Sequence, residues 1–307
     1  MSPDVVAVVL VQWTSLAALA ALVGSLVLAV LVLPPDAPGS LRLRLARWSR
    51  LSAAILLVAS VGDLVLRART MGGGGLSTAL AVVPAVLTRT HFGAIWSARA
   101  VALGILMVAA GRVGPVLRGA TLCLAFAVAL STSLVGHAAD HGDLSVATLI
   151  DWLHVSAAAA WTGGLVCLAV LVLPGARTWP RDRLEALVLR FSALAGWCLA
   201  AVIGSGICNA WIEIGSVHAL WTTTYGQILA TKLALVLAIV ALGAANRYAI
   251  IPQLVAGGAG AAARLATSVA WEAALGLVVL GCTALLTQSA PPHHGDHVAG
   301  TRAVTRC

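Results

Sequence analysis

Eight apolar runs, each long enough to cross a bilayer as a helix, limit what this chain can fold into. They fall at about 5–33, 48–68, 92–111, 116–137, 150–173, 190–213, 227–250 and 267–287, each near or above the roughly 20 residues that span the hydrocarbon core. Lipid leaves the backbone groups of an open strand unpaired, so such runs must be helices or belong to a closed barrel. They are continuous, not alternating, which argues against a barrel. Only 10% of the 307 residues are charged, against about a quarter in an ordinary soluble domain. The expectation is an all-α polytopic membrane protein with eight transmembrane helices.

The formal net charge of +8 follows topology. Connections after odd-numbered spans hold Arg42, Arg44, Arg47, Arg50, Arg112, Arg118, Arg177, Arg181, Arg183, Arg190, Arg247 and Arg264. Those after even-numbered spans, with the C-terminal tail, hold Arg67, Arg69, Arg89, Arg302 and Arg306. The positive-inside rule places the first group in the cytoplasm and both termini outside. The surplus is therefore a topology signal, not a nucleic-acid footprint. The first apolar run is too long for a signal-peptide core and only Asp4 precedes it, so it is expected to be retained as a span. Residues 76–90 carry Leu76, Leu80, Val83 and Leu87 on one stripe. They predict an interfacial or re-entrant helix broken by Pro84, not a full span.

The second half repeats the first. Thr90, Phe92, Gly93 and Arg99 recur as Thr223, Tyr225, Gly226 and Lys232, each 133 residues on. Trp13, Gly24 and Leu26 recur as Trp152, Gly163 and Leu165, and Arg47-Trp48-Ser49 as Arg190-Phe191-Ser192. The expected organisation is a four-helix repeat over 1–138, a second over 139–290, and a histidine-containing tail over 291–307. Four spans per unit give both units one orientation, as in parallel-repeat transporters.

With that topology, seven of the eight histidines fall at or beyond the outer face: His91, His137, His141, His218, His293, His294 and His297. The eighth, His154, lies about one turn inside the fifth span, with Asp151 three residues before it and so on the same face. Ionisable groups at membrane depth are costly and mark functional sites. Imidazole suits copper, zinc, iron and nickel. His137 and His141 would chelate at four-residue spacing if the fourth helix runs on past Gly136. The tail HHGDH, His293 to His297, offers a capture arm, and Asp151 is placed to orient His154. The candidate metal ligands are His91, His137, His141, His154, Asp151, His293, His294 and His297. Arg99 and Lys232, inside spans, are expected to pair with acids such as Asp63 and Glu213. The six cysteines show no ligand spacing and read as small apolar residues.

The stretches GHA at 136–138, DWLHVSAAAAWTGGL at 151–165, RFSALA at 190–195, TYGQILATKLAL at 224–235, Asn246-Arg247 and WEAALG at 271–276 resemble the CopD family of bacterial copper resistance and uptake membrane proteins. The resemblance is densest over residues 130–290. It implies copper moved across the cytoplasmic membrane, a small periplasmic copper-binding partner, and His137, Asp151, His154 and Trp161 as motif positions. With three methionines, the chain lacks the Met-rich clusters of many copper carriers. No nucleotide-binding motif, catalytic Ser/His/Asp order or HExxH is present, so no enzyme is expected. The rival is a b-type haem or quinone electron-transfer protein, with His154 and a partner such as His91 as axial imidazoles.

Overall fold

In the computed structural model, the described residues are 2–289 apart from 74, 113, 137–141, 144, 177–178 and 215–217. Among them there is helix and no strand. The main helices among the described residues are α1 (Pro3–Val32), α2 (Gly39–Gly72), a short α3 (Leu76–Arg89), α4 (His91–Ala109), α5 (Pro115–Ser133), α6 (Val146–Gly175), α7 (Arg181–Ile214), α8 (Thr224–Val255) and α9 (Ala261–Leu286). All but α3 are long and apolar enough to cross a membrane. The eight expected spans are each present, and α3 is the expected non-spanning helix. It is not broken at Pro84, however. The helix runs through that residue, and the Thr88 hydroxyl one turn on donates to the Pro84 carbonyl at 2.8 Å.

Helix starts follow local chemistry. Ser2 caps α1, with Pro3 and Asp4 in its first turn, where the missing N–H and the negative charge both suit a helix N-terminus. Thr90 and Thr223 cap α4 and α8 identically, each hydroxyl accepting the N–H of the glycine three residues on at 3.0 Å. At the opposite end arginines close the helices. Arg50 donates to the Ala110 carbonyl after α4, and Arg181 to the Leu254 and Val255 carbonyls at the end of α8. These carbonyls have no partner within their own helix. Arg183 and Asp36, 2.7 Å apart, tie the start of α7 to the α1–α2 connection.

α1 and α6 form the middle of the bundle. Two thirds of each span's most apolar stretch is buried by protein, against 6% for α8, which packs mainly on α9. The two central helices cross at glycine. A Cβ on Gly24 would lie 2.1 Å from the Gly163 carbonyl carbon, and one on Gly163 would lie 1.7 Å from the Ala20 oxygen. The backbones are in direct contact, the close approach that small residues permit between membrane helices. Further out, Val58, Trp197, Leu237 and Trp271 stand exposed and form the lipid-facing surface.

Two tryptophans bind the centre to its neighbours in the same way. Trp13 of α1 donates to the Leu277 carbonyl of α9 at 2.9 Å, and Trp152 of α6 to the Phe126 carbonyl of α5 at 2.9 Å. Both central helices also loosen into a π segment near the same end. Leu28–Val32 and Leu168–Val172 share the sequence LAVLV, a duplication visible in the sequence that the repeat comparison above passes over. A third π segment, Asn246–Ile250, follows in α8.

Candidate metal site

α6 begins at Val146, capped by Ser145, so Asp151 lies in its second turn and His154 eight residues in, about 12 Å along the axis. The partner of His154 comes from α7, where Ser205 Oγ lies 3.1 Å from its Nδ1. Ser205 spends its one proton on the Ala201 carbonyl, at 2.5 Å. The Val202 carbonyl of the same helix bonds the imidazole as well. A metal-ligating histidine is commonly oriented in this way, by a hydrogen bond to one ring nitrogen. Gly206 makes room for the ring: a Cβ there would lie 3.2 Å from His154 Cε1.

Asp151 does not take the expected role of orienting His154. Its Oδ1 accepts from Asn209 Nδ2 of α7 at 3.3 Å, one turn from Ser205. α6 and α7 thus join through two polar pairs, Asp151–Asn209 and His154–Ser205. Lys232 of α8 is close enough to act on His154 through its charge. Trp161, two turns along α6, is buried as a packing residue. Ser205, Asn209 and Gly206 are the members that sequence reasoning missed. The GSGICN stretch carries no charge and reads as ordinary small-residue packing.

His91 stays at the rim. Its Nε2 lies 3.3 Å from Asp143 Oδ1 and 3.4 Å from the Leu134 carbonyl, and about half of its side chain is exposed. It joins the start of α4 to the connection after α5. A haem ligated by His154 and His91 would need them opposed, and this position gives that reading no support. α5 ends at Ser133, with a turn through Leu134 and Val135; the expected chelating pair beyond it is His137 and His141. Those two histidines lie outside the described residues, as do His293, His294 and His297. Among the described residues, no three His, Cys, Asp or Glu side chains come together as a metal cage. His218 lies in a turn before the short helix Ala219–Thr222, where its carbonyl takes the Thr222 hydroxyl.

The expected acid–base pairs also shift. Asp63 pairs with Arg67 of its own helix at 3.2 Å, and Arg67 lies over the Phe92 ring. Arg99 donates instead to Ser131 and Thr132 of α5, at 2.7 and 3.5 Å, with Asp63 near enough to act on it through its charge. The Glu213 side chain lies outside what is described. Arg67→Met should therefore cost more than Arg99→Met. The first leaves Asp63 without its partner, at about 1–3 kcal/mol. The second leaves hydroxyls, and that of Ser131 already donates to the Val128 carbonyl. Thermal unfolding of the two variants in one detergent checks the order.

Fold and site define an integral membrane helix bundle with a histidine hydrogen-bonded between two of its spans. Residues 1–147 match the family described as copper resistance protein D-like, N-terminal domain, and residues 185–286 that of copper resistance protein D. The chain is 31% identical to copper resistance protein D of Pseudomonas syringae pv. tomato over 78% of its own length and 82% of that protein. It is 28% identical to copper transport protein CutJ of Bacillus subtilis over 78% of its length, and spans 45% of CutJ. It is also 28% identical to inner membrane protein YebZ of Escherichia coli, over 80% of this chain and 82% of that one. No solved structure matches. The chain belongs to the copper resistance protein D family.

Proposed function

We propose that this chain takes copper from the extracytoplasmic side at His154 and moves it across the cytoplasmic membrane of a bacterium. It acts as a carrier and not as an enzyme, supplied by a small periplasmic copper-binding protein. The observation that carries this reading is the His154–Ser205–Ala201 chain of hydrogen bonds, which orients an imidazole set between two spans. Copper is the metal because of the family, since imidazole alone would also suit zinc, iron or nickel. His137 and His91 complete the site as the metal enters, and the histidines at 141, 293, 294 and 297 raise its concentration at the entrance.

The bundle is read as two four-helix repeats related by a twofold along the membrane normal, with both termini outside. Support comes from the matched threonine caps at 90 and 223, the matched LAVLV π segments, and the crossed tryptophan bonds. Each repeat's first helix bonds the last helix of the other. A reporter active only in the cytoplasm, fused after Cys307, should give no signal. The function itself is tested on the purified chain by metal content and absorption spectrum, with copper uptake measured in cells. Bound copper with no Soret band, and uptake that depends on the chain, are expected. A Soret band, or uptake unchanged by the chain, would overturn the reading.

A further inference from the structure

Glu272, midway along α9, is 4% exposed. Its Oε1 accepts a hydrogen bond from Asn246 Nδ2 of α8. Asn246, 6% exposed, opens the π segment of that helix. Its other side-chain atom, Oδ1, is buried with no donor among the described residues.

A carboxylate at this depth is costly unless a cation accompanies it. The charged and titratable groups on α9 and on the helices packed against it are engaged elsewhere. Arg247 donates to Ser192, Arg264 to Gln253, and Asp4 takes Arg69. Asp151 takes Asn209, and His154 is held by Ser205. Lys232, whose charge reaches His154, lies 14 residues before Asn246 on α8, about 21 Å along the axis. Tyr248 faces outward, and Cys167 and Cys282 are free cysteines within the core.

One hydrogen completes both groups. An ionised carboxylate only accepts, whereas a protonated one also donates. With a proton on Oε2, Glu272 donates to Asn246 Oδ1 while Asn246 Nδ2 donates to Oε1, a closed acid–amide pair with no buried atom left over. Gly243, one turn before Asn246, leaves room for that oxygen, since a Cβ there would lie 3.3 Å from Oε2.

We propose that Glu272 and Asn246 form a proton-binding site within the membrane, and that the chain exchanges this proton for its cation cargo. As the cation arrives, the Oε2–H bond breaks, the proton leaves to water at one face, and the carboxylate balances the incoming charge. No electron moves. The exchange rests on the transport reading above; the proton site does not.

Infrared spectra of the full chain in lipid at neutral pH test the site. A protonated-carboxyl C=O stretch, shifting in heavy water, should be present in the wild type and lost in Glu272→Gln. That variant keeps a closed amide–amide pair and so should fold. Asn246→Leu should move the same band. A wild type without the band, or a band unchanged in Glu272→Gln, would overturn the proposal. Copper flux into vesicles tests the exchange. For one-for-one exchange, a gradient of one pH unit should shift wild-type copper accumulation about tenfold and leave Glu272→Gln unresponsive with copper binding retained. Equal responses from the two chains would sink the exchange. A wild type that moves no copper at all would sink the transport reading and the exchange with it, leaving the infrared band to decide the proton site.

Discussion

Gly163→Leu should prevent the chain from accumulating as a folded protein in the membrane. The position allows no side chain, because its Cβ would lie 1.7 Å from the Ala20 oxygen and that oxygen belongs to the backbone of the central helix α1. Overpacking a soluble core costs about 1–3 kcal/mol, and more when nothing flexible can yield. Here two helices must separate, and the separation would propagate to the Trp13 and Trp152 bonds that tie each to the outer bundle. A loss above about 3 kcal/mol is expected, against a stability of only 5–15 kcal/mol for a typical domain. Gly104→Leu is the control, since a Cβ at Gly104 meets nothing within 4 Å. Detergent-extracted yield and size-exclusion profile are the measurements. A monodisperse Gly163→Leu chain at wild-type yield would mean that α1 and α6 do not cross as described.

The spans were legible because lipid imposes one requirement on every residue of a crossing helix. Eight apolar runs therefore give eight helices, and Pro34–Pro35 and Gly73 mark their ends. Rotation of each helix about its own axis was not legible. An all-apolar helix has no polar face to betray its direction, so spacing alone cannot name a partner on another helix. Asp151 and His154 share a face, as their spacing demands, yet each finds its partner on α7, at Asn209 and Ser205, 58 and 51 residues away. Arg99 goes to hydroxyls on α5 and not to an acid for the same reason. Glu272 was visible as an intramembrane charge, but only the fold brings Asn246 to it. The LAVLV duplication needed no structure. It was there in the sequence as two identical pentapeptides, each two residues before a proline.

His154→Ala should abolish high-affinity copper binding and copper uptake, and the other ligand candidates should rank below it. His154 is the histidine that the fold sets two turns within a helix and bonds to a neighbouring span, and an ionisable group inside a membrane helix is costly unless used. Ser205→Ala should come next. It removes the hydroxyl bonded to Nδ1, and losses of such orienting partners typically run to about 10–100-fold in metal affinity. Asp151→Asn should cost less than Ser205→Ala, because Asp151 bonds to Asn209 and touches the imidazole only through the shared helix. A chain ending at Ala290, without His293, His294 and His297, should bind with near-normal affinity at saturation and fall behind only when copper is scarce. Copper titration and cellular uptake for the four variants give the order. If the truncated chain loses all binding while His154→Ala binds and transports normally, the metal is held by the tail, and the inward-set imidazole is a packing residue satisfied by Ser205.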